Sequence, residues 1–282
     1  MNKKFNLHTH THYCDGSSKP EDYVIKALEL GFSSLGFSGH APVSFPNKFA
    51  IKQSELNNYV KEIRSLQDKY RSEIELYLSL EIDFIPGIID DFLKFKQDCK
   101  LDYIIGSIHL VKAESNSDLW FIDGGKQDVY DQGLERVFGG DIRKGVRAYY
   151  HQINQMLASQ NIDILGHFDK IKMHNKDRYF TEDESWYLEL IDECLDLIKS
   201  KDVIVEVNTR GLYKKRSNSL FPGVDILKKI KDLQIPITIS SDAHKPEELD
   251  LLLKDTADTL TQLGFRELMC FGKTGWEAVS MR

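Results

Sequence analysis

Cysteine is scarce in this chain. There are four in 282 residues, Cys14, Cys99, Cys194 and Cys270, and no two form a CxxC pair. That argues against a disulfide framework and against a structural zinc site built on thiolates. Long apolar runs are also missing, so no membrane-spanning helix is expected. No apolar stretch follows the lysines of the opening MNKKFNLHTH, so no secretory leader is expected and the expected compartment is the cytoplasm. Basic charge is in deficit: 37 Lys and Arg against 44 Asp and Glu give a net charge of −7. A general nucleic-acid binder would normally carry a basic stripe. A small phosphorylated substrate stays compatible, because bound metal can reverse the local sign. There is no low-complexity segment, no long linker and no DxDx(T/V) motif. The last absence removes the aspartyl-phosphate route of many phosphatases. The 41% hydrophobic content is enough for a sizeable core in one large domain or two modest ones.

What is present is alternation. FNLHTH, SLGFSGHAP, ELYLSLEIDF, DYIIGSIHLV, DILGHFD, DVIVEVNTRG and PITISSDAH read as strands. Between and after them run helical patterns such as EDYVIKALELG and SELNNYVKEIRSLQDKYRSEI, the latter with Ser54 as N-cap. Seven strand–helix units call for parallel strands with right-handed crossovers, in either a doubly wound sheet or a barrel. The polar residues favour the barrel. His8, His10, His40, Glu81, His109, His167, Glu206 with Asn208, and Asp242 with His244 fall at or near strand C-termini. In a βα-barrel those ends share one mouth. An irregular, TIM-like α/β barrel of (β/α)7 type is therefore expected.

His8 and His10 are two apart in a strand and so face one point. A charged group after an apolar strand is costly unless paired or metal-bound, and SLEI, GSIHL, ILGHF and ISSDAH each place one there. The candidate ligands are His8, His10, His40, Glu81, His109, His167, Asp242 and His244, with Asp15 a ninth. That exceeds the roughly four that zinc takes. Two or three divalent ions fit better, with Glu81 as a carboxylate bridge. Imidazole with carboxylate suits zinc, iron or manganese. His12 is expected in a loop or supporting role, and His151 and His174 as structural or solvent-facing residues.

HTHTHYCDG, FSGHAP, LSLEIDF, DYIIGSIHLV, ILGHFD, VEVNTRGL and SSDAHKPEEL, in that order, resemble the motifs of the PHP (polymerase and histidinol phosphatase) superfamily. The closing LGFRELMCF resembles the tail of its monofunctional histidinol-phosphate phosphatases. The resemblance implies a distorted (β/α)7 barrel, one PHP-type metallophosphoesterase domain over residues 1–282, and a trinuclear centre at the mouth. It implies three groupings: His8, His10, Glu81 and Asp242; Glu81, His109 and His167; Asp15, His40 and His244. Asp15 is the departure, since some members have His there.

Clustered divalent ions suit phosphomonoester hydrolysis, because they lower the pKa of a bound water and neutralise phosphate oxygens. The expected nucleophile is a metal-bound hydroxide, with no separate catalytic side chain assigned. Arg210 is the candidate phosphate ligand, as a guanidinium binds phosphate bidentately. Lys170 and Lys172 are weaker candidates, expected to be solvated, and Glu206 and Asn208 are candidate contacts for a substrate ammonium or imidazole. The segment from Lys112 to Arg143 reads either as a lid carrying Trp120 and Phe121 or as a surface excursion. The expected reaction is hydrolysis of L-histidinol phosphate to L-histidinol and phosphate in histidine biosynthesis. The competing readings are a PHP phosphoesterase for another small metabolite or nucleotide, an amidohydrolase, and a noncatalytic metal-binding module. Glu81 and the Asp242-x-His244 pair depart from the amidohydrolase pattern.

Overall fold

The computed structural model describes residues 3–113 and 118–281. In chain order its strands are β1 (Phe5–Asn6), β2 (Ser34–Phe37), β3 (Glu75–Asp83), β4 (Tyr103–Ser107), β5 (Leu110–Lys112), β6 (Leu119–Phe121), β7 (Ile164–Leu165), β8 (Ile204–Asn208), β9 (Ile237–Ser240), β10 (Glu267–Gly272) and β11 (Gly275–Ser280). The helices are α1 (Pro20–Glu29), α2 (Leu56–Tyr70), α3 (Phe92–Cys99), α4 (Gln127–Phe138), α5 (Ile142–Ser159), α6 (Ser185–Lys201), α7 (Arg210–Tyr213), α8 (Val224–Asp232) and α9 (Leu253–Gln262).

Parallel strands run side by side in the order β1-β2-β3-β4-β7-β8-β9. The two outer members then meet. Thr9 pairs with Ala243, and the His10 N–H donates to the Ala243 carbonyl at 2.8 Å. The result is the distorted, TIM-like (β/α)7 barrel expected from the alternation. Each strand of the barrel is buried on both faces, which is why β3 reads as a near-continuous apolar run. The longer helices cover the outside, each with an apolar stripe turned inward. On α2 that stripe is Leu56, Tyr59, Ile63 and Leu66, at helical spacing.

The strands' N-terminal ends are closed by an antiparallel hairpin of β10 and β11. Phe271 and Trp276 pack there against Tyr103, with ring centroids 5.6 and 5.7 Å away. The Trp276 indole donates to Asp163 at 3.1 Å. The Tyr103 hydroxyl donates to the Leu7 carbonyl inside the barrel. Gly36 makes room for it, because a Cβ at that position would lie 1.9 Å from the Tyr103 hydroxyl oxygen.

Several local expectations are corrected. Ser54 does not cap α2; Glu55 holds that position, after a turn closed by its N–H on the Lys52 carbonyl. DYIIGSIHLV is not one strand. It breaks after Ser107 because the Asp83 carboxylate takes the His109 N–H at 2.8 Å, and Leu110–Lys112 then pairs with Leu119–Phe121. The 112–143 segment carries a strand and a helix, and its residues 114–117 lie outside the described ones. Trp120 is fully buried and donates to the Tyr130 carbonyl, so it is core and not a substrate contact. No helix among the described residues is long and apolar enough to cross a membrane.

Candidate metal centre

The mouth of the barrel gathers the candidate ligands. His8 and His10 follow β1 in the extended stretch that Thr9 stitches to Ala243. Glu81 is the seventh residue of β3, and His40, in the segment after β2, is bridged to it. His109 and His167 follow β4 and β7, and Asp242 and His244 follow β9. Asp15 arrives from the turn after His12, where Gly16 lies tight against the backbone of His10; a Cβ there would be 2.4 Å from the His10 carbonyl oxygen.

Glu81 is the hub. One carboxylate oxygen lies 3.2 Å from His8 Nε2, 3.4 Å from His10 Nε2 and 3.1 Å from His40 Nδ1. The other lies 2.9 Å from His167 Nε2 and 3.6 Å from His109 Nε2, and accepts the Ser107 hydroxyl at 2.6 Å. Asp242 Oδ1 faces His10 Nε2 and His244 Nδ1, each at 3.4 Å. Asp15 spans to His244 Nε2 at 3.3 Å and to His40 Nε2 at 3.8 Å. All but Asp15 and His244 are buried.

The donor atoms form convergent groups, each within 4.8 Å: His8, His10 and Asp242; Glu81, His109 and His167; His10, Asp15, His40 and His244; and His40, Asp83 and His109. The first three overlap the expected groupings, with His10 joining two of them. The fourth adds Asp83, which the sequence reading missed. It lies two residues after Glu81 on the same strand face, and that spacing is the signal that would have found it.

The buried atoms at the centre behave as a set of metal donors. His8 Nε2, His10 Nε2, His40 Nδ1 and Asp242 Oδ1 are all buried without a hydrogen-bond partner. They stand close to one another yet are not aligned as N–H···O pairs. Unsatisfied buried polar atoms are expensive, and imidazole nitrogens and carboxylate oxygens aimed at shared points are what a divalent cation would satisfy. The electrostatics of Glu81, Asp242 and His10 agree, while carboxylates beside His8 and His109 raise those two imidazoles against burial. Burial opposes ionisation of Glu81, but the surrounding histidines hold it well below the usual carboxylate range. Asp242 is likewise held well below it, against burial, by His8 and Arg210. Burial, with His244 and His40 beside it, lowers His10 to about 3, keeping the neutral imidazole that binds metal. Two of the candidate ligands sit on strained backbone: His167 at φ 23° and Asp242 at φ 51°.

The PHP domain family profile matches residues 6–210. The chain belongs to that family. Among curated relatives, the histidinol-phosphatase of Bacillus subtilis is 27% identical over 254 residues, covering 84% of this chain and 92% of that protein. The histidinol-phosphatase of Lactococcus lactis is 24% identical over 277 residues, covering 95% and 94%. The solved structure of the L. lactis histidinol phosphate phosphatase, complexed with zinc, L-histidinol and phosphate, superposes with a TM-score of 0.72 at 22% identity, over 98% of this chain and 99% of that one. A Listeria monocytogenes structure aligns at 0.76 and 24% identity, over 87% and 97%. The PHP match stops at Arg210, so Asp242 and His244 come from chain beyond it.

Beside the ligand cluster is a cavity of about 390 Å³, walled by Phe49, Phe121, Asp123, Arg210, Lys214 and Arg216 among others. Phe49 and Phe121 stack, with centroids 5.9 Å apart. Arg210 is braced through Nη1 on the Asp242 carbonyl at 2.8 Å and the Tyr213 hydroxyl at 3.1 Å. The expectation for the two lysines fails, while those for His174, His151 and His12 hold. Lys170 and Lys172 are buried, not solvated: Lys170 pairs with Asp123 at 3.2 Å and Lys172 with Asp169 at 2.7 Å. His174 is buried, bonded through Nε2 to the Gly124 carbonyl. His151 and His12 are exposed, as a helix-surface and a loop residue. Glu206 and Asn208 lie buried among the ligands instead of on the cavity wall, so they do not meet a substrate's ammonium or imidazole.

Proposed function

We propose that this chain is a metal-dependent phosphomonoesterase that hydrolyses L-histidinol phosphate to L-histidinol and phosphate, acting as one domain over residues 1–282. The observation that carries the reading is the convergence of imidazole and carboxylate donors with orphaned buried atoms, beside a cavity walled by cations and aromatic rings. The similarity to histidinol-phosphatases along nearly the whole chain supports the substrate.

His8, His10, Glu81 and Asp242 would hold one ion. Glu81, His109 and His167 would hold a second, and Asp15, His40 and His244 a third. The ions are zinc, iron or manganese, two to three per chain. Divalent ions in such a cluster supply a water acidified toward neutral pH and positive charge for the phosphate oxygens. The chain's own residues do the rest. Glu81 and Asp242 remain ionised and keep the site's charge balanced against its cations. Arg210, fixed by the Asp242 carbonyl and Tyr213, presents a guanidinium at the cavity wall for the phosphate. Phe49 and Phe121 offer flat apolar faces to a ring such as imidazole.

The test is phosphate release from L-histidinol phosphate beside a panel of nucleotides and sugar phosphates, with metal quantified on the same sample. Preference for histidinol phosphate with two to three ions per chain supports the proposal. Metal with preference for another phosphoester would keep the phosphoesterase site and replace the substrate.

A further inference from the structure

β8 lies between β7 and β9, yet it contributes none of the nine candidate ligands. What it contributes are Glu206 and Asn208, two apart and therefore on one face. Both are buried, at 1% and 0% exposure. Glu206 lies outside every convergent group of metal donors. Four donors close on its two oxygens instead. Oε1 accepts His8 Nδ1–H at 2.5 Å and the Ser240 hydroxyl at 2.5 Å. Oε2 accepts the His167 backbone N–H at 2.8 Å and the Asn208 amide at 3.1 Å.

Only an ionised carboxylate can serve four donors, because it is acceptor-only with about four lone-pair sites. A glutamine of the same shape would turn its own N–H₂ against two of them. The arrangement has two consequences for the ligands. With Nδ1–H committed to Glu206, the free lone pair of His8 is on Nε2, the atom that faces Glu81 at 3.2 Å. The bond to the His167 N–H holds that residue at its left-handed φ of 23°, a conformation that persists only where its surroundings enforce it. The same Asn208 amide reaches Asp242 Oδ2 at 3.2 Å, tying in the second left-handed ligand.

We propose that Glu206 is the positioning residue of the metal centre: one carboxylate sets the tautomer of His8, fixes the backbone of His167 and, through Asn208, steadies Asp242. This rests on the ligand assignment of the proposed function. Partners behind metal-binding histidines are worth about 10- to 100-fold in metal affinity when removed.

The experiment is a zinc titration of the metal-stripped full chain against a competing chromogenic chelator, for wild type, Glu206→Gln and Glu206→Asp. Melting temperatures of the metal-free and zinc-loaded forms are read alongside. Glu206→Gln is expected to weaken zinc binding by about 10- to 100-fold and to shrink the rise in melting temperature on zinc addition. A merely structural role would lower both melts equally and leave that rise intact, which would overturn the proposal. Wild-type zinc affinity in Glu206→Gln would overturn it too. Should that variant not fold, Glu206→Asp keeps the charge but retreats by one methylene. It carries the same expected loss, and wild-type affinity in it again overturns the role. Zinc uptake by wild type is the internal control: its failure overturns the ligand assignment and Glu206's role together, whereas uptake with equal affinity in the variants overturns only the latter.

Discussion

The two ends of this barrel are built from opposite materials. At the C-terminal ends of the strands, six imidazoles and four carboxylates converge, Glu81 at their hub, and two of the candidate ligands sit on left-handed backbone. At the N-terminal ends, Phe271 and Trp276 of the hairpin pack on Tyr103 as an aromatic plug. The plug contributes buried area and satisfied hydrogen bonds. The mouth holds buried atoms with nothing to bond to. Function and stability are thus separated along the barrel axis, as the TIM-like architecture leads one to expect.

That separation can be broken or sharpened by experiment. The largest effect should follow metal stripping: dialysis against a chelator is expected to abolish phosphate release, and added zinc or manganese to restore it. Activity that survives with no measurable metal would dissolve the contrast altogether. Glu81→Gln should come next. It touches donors of every grouping, so turnover should fall by about 10²–10³-fold or more, with the circular dichroism spectrum retained. Arg210→Ala should act more mildly, raising KM for the phosphoester by about 10-fold, as expected for one charge-assisted contact. An unchanged KM and kcat would remove Arg210 from the site. At the other end, Trp276→Ala should cost about 2 kcal/mol of stability in urea melts and leave kcat within about two-fold of wild type. A large loss of turnover in the folded variant would mean that the plug and the mouth are coupled. His12→Ala, in an exposed loop residue near the ligands, should change neither quantity beyond about two-fold; a loss of metal content on analysis would place it in the centre after all.

The convergence of the candidate ligands was legible because they recur at one relative position, just after an apolar strand, and a charge there needs a partner. The alternation of strand and helix was legible for the same reason: period and apolar content are local properties. What escaped depends on contacts between distant segments. Trp120 reads as part of either a lid or a surface excursion, yet its indole is committed to the Tyr130 carbonyl in the core. Lys170 and Lys172 read as solvated, because no local pattern reveals that Asp123 and Asp169 wait for them. Glu206 and Asn208 read as strand-end polar groups, but nothing in VEVNTRG says that Glu206 faces His8 and His167, and Asn208 faces Asp242, instead of a substrate. The closing hairpin was read for its likeness alone, and its function as a plug shows only once Tyr103 and Asp163 are beside it.

The seam between Thr9 and Ala243 bears on how the molecule is made. It joins the first strand of the barrel to the last, and ligands stand on both sides of it. A ribosome extending the chain at about 5–20 residues per second exposes His8 and His10 tens of seconds before Asp242 emerges. For that interval the early histidines belong to a chain whose first strand has no closing neighbour, and contacts of such long sequence separation are the slow ones to form. The candidate groups that need both ends of the chain, such as His8, His10 and Asp242, can therefore assemble only when those ends are sewn together, whereas Glu81, His109 and His167 are all present well before that.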